Sequence, residues 1–521
     1  MQQVIIIGGG PVGLSAAICL ANQGIHSTLI EKHPTITNHP KARGVNGRTM
    51  ELFRSWGVEK DLQQYEMPPE AHRFTWLEDF QGKEITRVQA SVDYSVFSPT
   101  SKAIISQDCV EEVLYRKASQ MPEVTLRFNT EMVKASQDPQ KVTVDVLNRE
   151  SGQKETLKSQ YMIAADGAKS TLRDRFDVKM LGKDDLGVFC NIYCEMDIDK
   201  YVENRPSAGF MFTRPDLLGT FILSKKGHRK WLVGVKLDPS RGLEEKTFTD
   251  DFCVEYVKKV INDPQVEVKL INKAFWTMAA LIADKFRVGR VFFAGDAAHR
   301  LPPTGGFGMN TGVQDAHNLA WKLAMVIKRQ ADDSLLDTYF QERFQIAKTN
   351  MDWSAMNAQR FTAIYTALFE KDIPRFEKEL KDQNHHINNI QLDLGFAYGS
   401  EYHNQETYQP DAKVGSRAPH CWLQKDSHRL STLDLFQDSF ILLCDPNADL
   451  WIEKFKGLPC KIVTVGEHGD YHDIQNDFLE KYKLSSLGAA LIRPDGHVAW
   501  RSQDENGEMV AKDFGFAMKK L

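Results

Sequence analysis

The chain has 521 residues, 42% apolar and 26% charged; that is too long for one hydrophobic core and implies several domains. A net charge of −5 with no long block of like charges argues against a nucleic-acid surface and a polybasic membrane patch. No apolar run approaches bilayer-spanning length, and the first strand begins at once, with no room for a signal peptide, so the reading is a cytoplasmic protein without membrane association.

The order begins with an all-apolar strand at 4–7 that runs into Gly8, Gly10 and Gly13, with Pro11 and Val12 between them. A helical run follows to residue 23 and Gly24 ends it. A second apolar run, 27–30, closes on Glu31. This is the strand–turn–helix–strand of a dinucleotide-binding unit. The first glycine permits the tight turn, the second lets backbone approach a pyrophosphate, and the third lets helix pack on strand. The helix N-terminus supplies free N–H groups, and Glu31 can accept from ribose hydroxyls. The motif alone does not choose between NAD and FAD.

Next comes a loop with Lys32, Lys41, Arg43 and Arg48, then a helix over 49–56 stopped by Gly57. The cations suit a pyrophosphate or a flavin ring, or simply a solvated basic loop. Residues 70–105 read as irregular strands. Ser106, Gln107 and Asp108 resemble a cap before a helix over 109–119. Strands follow near 123–134, 141–147 and 156–164, the last ending in Asp166-Gly167, a turn by default.

Residues 180–280 change texture. Strands near 186–199, 208–213, 218–225 and 230–237, a helix over 248–262 and a strand over 266–276 make an antiparallel α+β block, a natural roof for a substrate pocket. The eight cysteines (19, 109, 190, 194, 253, 421, 444, 460) form no CxxC and show no zinc spacing, so no metal site is expected. Cys190 and Cys194 share an alternating face with Ile192, Met196 and Ile198 and read as buried thiols.

A parallel-strand run at 290–294 then leads into Gly295 and Asp296. Beyond it Pro303, Gly306, Gly308, Met309 and Asn310 form a glycine-rich turn that opens a helix over 311–330, another anion- or ring-binding loop. Asp315 and His317 read as helix-surface residues. A long amphipathic helix over 334–370 presents Trp353 and Phe361 to the core. The polar stretch 373–412, with His385 and His386, reads as a linker or wrapping segment. The last segment gives a strand at 440–444, a helix near 447–456, a strand at 461–465, a helix over 471–483, a hairpin around Pro494-Asp495-Gly496 and a terminal helix near 509–520, the order of a thioredoxin-like unit.

Taken together, Gly8-x-Gly10-x-x-Gly13, Asp166-Gly167 and Gly295-Asp296 resemble the group A flavoprotein monooxygenases, the FAD-dependent aromatic hydroxylases. The tail resembles the thioredoxin-like domain of their phenol- and polyketide-hydroxylase branch. The resemblance implies an α/β fold: a Rossmann-like FAD-binding domain at 1–178 and 281–372, of the type in p-hydroxybenzoate hydroxylase, with 70–105 contributing to the substrate side. An inserted α+β substrate domain would span 179–280, a linker 373–412, and a thioredoxin-like domain without CxxC 413–521. It also implies that the turn from Gly8 to Gly13, with Glu31 and Lys32, holds the ADP half of FAD. Arg43 would approach the flavin or pyrophosphate, Gln107 would contact FAD, and Asp166 would serve FAD and NAD(P)H. Asp296 would bind ribityl and pyrophosphate, and the backbone from Pro303 and Gly306 to Asn310 would face the isoalloxazine. Relatives often carry Arg at the place of Lys41, and the proline that usually follows the Glu342-Arg343 pair is missing.

The activity implied is insertion of one oxygen atom of O2 into a phenolic or aromatic polyketide-type ring. NADPH or NADH would drive it through a flavin C4a-hydroperoxide. Baeyer–Villiger oxidation, antibiotic inactivation or a non-hydroxylating oxidase would use the same fold. The catalytic base is not identified: Tyr193, His228 and Arg214 are candidates, each with a strand-surface position as the alternative. A homodimer is compatible with the resemblance.

Overall fold

The computed structural model describes residues 2–37, 39, 42–227, 229–400 and 408–502, with the side chains of His385 and His386 excepted. His228, Lys41 and the expected terminal helix near 509–520 lie outside the described residues.

The first strand, Gln2–Ile7, is Val/Ile-rich, and Val4, Ile5 and Ile6 are fully buried. Each such side chain contributes about 1.5–3 kcal/mol of transfer free energy, which fixes this strand at the centre of a sheet. Its parallel neighbours are Ser27–Ile30 and Lys154–Ala164, flanked in turn by Val124–Arg127 and Val291–Phe293. Two further strands, Thr130–Gln137 and Val142–Asn148, extend Lys154–Ala164 antiparallel. Helix Pro11–Asn22 packs against the sheet and against helix Phe307–Ile327.

A second, seven-stranded sheet runs in the order Val268–Thr277, Val188–Met196, Lys230–Lys236, Thr220–Leu223, Gly209–Phe212, Arg73–Leu77 and Glu84–Gln89. Two of its strands thus come from the stretch 70–105. One face carries Cys190, Ile192, Cys194, Val233 and Val235 against Val257, Val260 and Ile261 of helix Asp250–Ile261. That helix is capped by Thr249, carries Asp250 and Asp251 in its first turn and Lys258 and Lys259 in its last, and ends at Asn262 with φ 60°. Residues of the other face, among them Phe189, Asn191 and Phe221, line the cavity at the first sheet's edge.

The C-terminal sheet has the order Cys460–Thr464, Phe440–Cys444, Ala489–Ile492, Val498–Arg501. Its first pair is parallel and the other two are antiparallel. Helices Asp449–Phe455 and Phe478–Tyr482 accompany it, which gives the thioredoxin-like arrangement.

Three local expectations differ from the structure. The helix expected over 471–483 is confined to Phe478–Tyr482, because His472–Asp473 pairs as a strand with Trp422–Lys425. Of the two readings of 373–412, the linker fails and the wrapping segment fits: two helices, Ile373–Ile387 and Ile390–Leu394, pack on helix Thr338–Glu370 and on helix Gly47–Ser55 respectively, and Leu392, Asp393 and Leu394 are buried. Trp353 and Phe361 are only half-buried, and Phe361 stacks on Trp76 at 6.0 Å between ring centres. Among the described residues, no helix is long and apolar enough to cross a membrane.

Candidate active site

Register builds the site. Ile7 lies opposite both Ile30 and Ala164, and Ala164 lies opposite Phe293. The residues that follow these four strand ends are Gly8, Glu31, Ala165 and Ala294, so segments far apart in sequence meet at one carboxyl edge. Ligands of open parallel sheets sit at such edges.

At this edge the backbone leaves no room for side chains. Gly8 has φ +111°, and a Cβ there would stand 2.2 Å from the Ala165 carbonyl oxygen. A Cβ on Gly13 would stand 1.9 Å from the Gly8 carbonyl oxygen. Gly10 caps helix Pro11–Asn22 in an extended conformation, and Pro11, which lacks an N–H, occupies the first turn. Val12 packs into the space left by Gly295, where a Cβ would lie 2.7 Å away. Glu31 holds the turn: one carboxylate oxygen accepts from Gly9 N at 2.7 Å and the other from His33 N at 2.8 Å. Lys32 is exposed beside it.

The two acidic motifs are stitched together by Arg173, only 9% exposed. Its guanidinium donates to the carbonyls of Ala168 (2.6 Å), Asp296 (3.1 Å) and Ala297 (3.2 Å). Asp166 Oδ1 is buried without a partner, and burial raises its pKa. Asp296 is exposed into the cavity. Gly306, φ +71°, caps helix Phe307–Ile327 and donates its N–H to the Pro303 carbonyl at 3.1 Å. Asn310 donates to the Gly306 carbonyl (2.7 Å) and the Gly44 carbonyl (2.9 Å) and accepts from Asn46 N (3.0 Å), so it ties the glycine loop to the Arg43 segment. Met309 is 8% exposed and lines the cavity, as does Gly308.

Arg43 is half-buried near Asp108, its Nη2 is enclosed without a partner, and desolvation lowers its pKa to about 10. Gln107, 8% exposed, donates to Glu111 at 2.7 Å. The expected site residues therefore converge: all except Gly13 and Gly295, which act by allowing close packing, line one cavity of about 2850 Å³. A drug-sized ligand needs a pocket of about 300–1,000 Å³, so this one has room for a large cofactor and a second molecule.

The cavity continues onto one face of the seven-stranded sheet. Phe189 and Trp276 stack at 4.8 Å, and Trp276 Nε1 donates to Asn191 at 3.0 Å. The next row, across from Asn191, is Ala274 on one side and Gly234 on the other. The Phe221 ring lies over Gly234, where a Cβ would come within 2.1 Å of it. Phe189, Trp276 and Phe221 thus give this part of the cavity an aromatic lining, suited to a planar ring.

Asp315 is not a surface residue, and His317 is half-buried. Asp315 is fully buried and accepts from His299 Nε2 (2.6 Å), Arg343 Nε (2.8 Å) and Gly295 N (3.2 Å). Burial raises its carboxyl pKa, but His299 and Arg343 outweigh this and hold it below the usual range. His317 sits beside Trp56, and burial lowers its pKa to about 3. Of the base candidates, Arg214 is committed to Asp79 and Asp216 (2.9 and 2.8 Å). Tyr193 is 4% exposed, edge-on to His39.

The unpartnered Asp166 oxygen and Arg43 nitrogen, together with a glycine-only cradle at a helix N-terminus, fit a group that carries a pyrophosphate and a polar ring system. Residues 1–354 match the model of the FAD binding domain, and residues 411–519 match that of the aromatic-ring hydroxylase C-terminal domain. The chain is 33% identical to 4-methyl-5-nitrocatechol 5-monooxygenase of Burkholderia sp., with 96% of this chain and 94% of that protein covered. It is 32% identical to tetracenomycin A2 monooxygenase-dioxygenase of Streptomyces glaucescens, with 97% and 95% covered. The crystal structure of the flavin-dependent monooxygenase PieE in complex with FAD and substrate superposes with a TM-score of 0.90 at 26% identity, covering 100% of this chain and 99% of that one. A glycine cradle for FAD, an aromatic-walled cavity beside it and this agreement along almost the whole chain place the protein in the FAD-dependent aromatic-ring monooxygenase family.

Proposed function

We propose that the protein uses NADPH or NADH to hydroxylate a phenolic or polyketide-type aromatic ring in the cytoplasm, with one atom of O2 entering the product. The observation that carries this reading is the continuity of one cavity from the glycine edge to the Phe189–Trp276 wall. FAD, when bound, supplies electron transfer from the reduced nicotinamide and activation of O2.

The chain's own residues supply position and surroundings. The turn from Gly8 to Gly13 and the N-terminus of helix Pro11–Asn22 bind the pyrophosphate, Glu31 and Lys32 the adenosine side, and Asp296 the ribityl chain. Arg43 and Gln107 approach the ring system, and Pro303 with the Gly306–Asn310 backbone faces it. Asp166 serves both the flavin and the nicotinamide. The apolar wall excludes water and aligns the substrate ring. In this division the FAD-binding unit is 1–178 with 281–372, the substrate unit 179–280, and the C-terminal unit 413–521.

The test is purification with a flavin spectrum, then NADPH and NADH oxidation against phenols and aromatic polyketides. A product heavier by one oxygen, carrying a new ring hydroxyl, is expected; turnover that adds no oxygen overturns the reading.

A further inference from the structure

An asparagine stands in the aromatic lining of the cavity. On strand Val188–Met196, Cys190, Ile192 and Cys194 pack towards helix Asp250–Ile261, so the alternation of the strand turns Phe189, Asn191 and Tyr193 to the opposite side. Phe189 and Asn191 line the cavity there. The cross-strand neighbours of Asn191 are Ala274, with a single methyl, and Gly234, over which the Phe221 ring lies. Asn191 is 8% exposed, and this row holds no other polar side chain.

The orientation of the amide follows from its partner. Trp276 Nε1 donates to Asn191 Oδ1 at 3.0 Å, and an indole N–H can only donate, so the amide gives its oxygen to Trp276 and keeps its nitrogen for the other side. Nδ2 carries two N–H bonds, and among the described residues no group accepts from it. Unlike Asp166 Oδ1 it is not enclosed; it opens on the cavity that Asn191 lines. Two residues further along the strand, a rise of about 7 Å, Tyr193 stands edge-on to His39, which belongs to the loop that carries Arg43. Asn191 thus lies between the Phe189–Trp276 stack and the segment assigned to approach the flavin. Cations flank the stack: Lys236 lies opposite Phe189, and Arg300 donates to the Thr277 carbonyl at 3.2 Å; both line the cavity. Asp238, on the loop after Lys236, lines it too, but accepts from Ser240 N and Oγ at 3.0 and 2.6 Å.

We propose that Asn191 is a specificity-determining residue: its amide nitrogen donates to an oxygen of the substrate ring, and so selects rings that carry an accepting oxygen over rings that lack one. The inference rests on the hydroxylase reading, which places the ring against Phe189 and Trp276. An N–H donor has nothing to offer a group that only donates, which leaves an accepting oxygen as its ligand. The bond is about twice as strong to an ionised oxygen as to a neutral one, and Lys236 and Arg300 add a favourable field, so a phenol is held best as its phenolate. One fixed oxygen also sets the rotation of the ring in its own plane, which stacking alone leaves free. Trp276 has two parts in this: its ring stacks with Phe189, and its N–H fixes the amide.

The experiment compares 4-nitrophenolate with nitrobenzene, which differ only in the ring oxygen, by equilibrium dialysis against the FAD-loaded protein, without reductant and above the phenol's own pKa. Wild type should bind the phenolate more tightly. Asn191→Asp keeps an acceptor for the Trp276 N–H and turns the donor into a carboxylate oxygen. It should weaken nitrophenolate about 10- to 100-fold and leave nitrobenzene within about twofold. Asn191→Leu, which buries no charge, should lose about tenfold on nitrophenolate with nitrobenzene nearly unchanged. Should N191D lose its flavin, N191L decides alone. A merely structural role would weaken both ligands together, so equal losses overturn the proposal, as does an unchanged nitrophenolate affinity in the variants or a wild type that does not discriminate the two ligands. Variants that behave as expected, with no oxygen inserted into any phenol on turnover, leave Asn191 standing and overturn the hydroxylase reading. Oxygen inserted while the ratio of affinities is unmoved overturns the role of Asn191 alone.

Discussion

At the nucleotide end of the cavity the shape is set by main chain: Gly8, Gly13 and Gly295 stand where any Cβ would collide with carbonyl oxygens or with Val12. At the ring end it is set by side chains, with Phe189, Trp276 and Phe221 standing on a regular sheet. The first construction tolerates almost no substitution and suits a ligand that does not change. The second can be re-contoured one residue at a time while the sheet beneath it stays intact, which suits a substrate that differs among relatives.

Four substitutions break or sharpen that contrast, from the largest effect down. Gly13→Val should cost more than about 3 kcal/mol and leave the protein without flavin, read by thermal unfolding and the visible spectrum. A folded yellow variant would show that the main-chain cradle is more forgiving than its geometry.

Arg417→Met asks whether the cradle depends on a more distant support. Glu51, on helix Gly47–Ser55, is 4% exposed and bonded to Arg417 (2.6 and 2.9 Å) and Arg48 (2.9 Å). Removing one partner of a buried pair costs about 3–5 kcal/mol. Burial raises the Glu51 pKa, but the two arginines, Arg417 foremost, outweigh it and hold it below its ordinary 4.5. The pair's contribution is therefore present above about pH 4.5 and lost as pH falls through the folded-state value. Denaturant melts should show wild type and variant converging on the acid side.

Asp296→Ala should weaken FAD retention by about 2 kcal/mol, the scale of a charge-assisted hydrogen bond, with little change in the apoprotein's melting temperature. Equilibrium dialysis checks it, and a fully yellow variant removes Asp296 from the site. Smallest in stability is Gly234→Ala. Its methyl would displace the Phe221 ring that lies over Gly234 at about 1–2 kcal/mol, so the flavin should stay while KM rises for multi-ring substrates more than for single-ring phenols. Equal effects on both would place the bound ring elsewhere on the wall.

What was legible in the sequence follows the same division. The three motifs that the fold brings to one carboxyl edge can be read because glycine at fixed positions is a backbone requirement that local sequence records. The alternation of Cys190, Ile192 and Cys194 likewise marked a strand face that is buried. Asp315 was misread because its partners, His299 and Arg343, come from other segments, and nothing local marks a carboxylate on a helix that is buried on nearly all sides. Stretch 373–412 left linker and wrapping segment open because its polar residues suit solvent, yet Gln383, Asn389 and Asp393 line the cavity.

The Glu51–Arg417 pair has a consequence for recombination among relatives. Arg48 of the same helix also donates to the Asp495 carbonyl at 2.7 Å, and Glu342 accepts from Arg493 at 2.7 Å. The C-terminal unit is thus keyed into the flavin-binding half by charges that both partners bury. A chimera that exchanges this unit at the boundary near residue 411 inherits a mismatched lock unless Arg48, Glu51 and Glu342 travel with it. Inheritance of the two halves is therefore coupled, even though only one of them carries the flavin motifs.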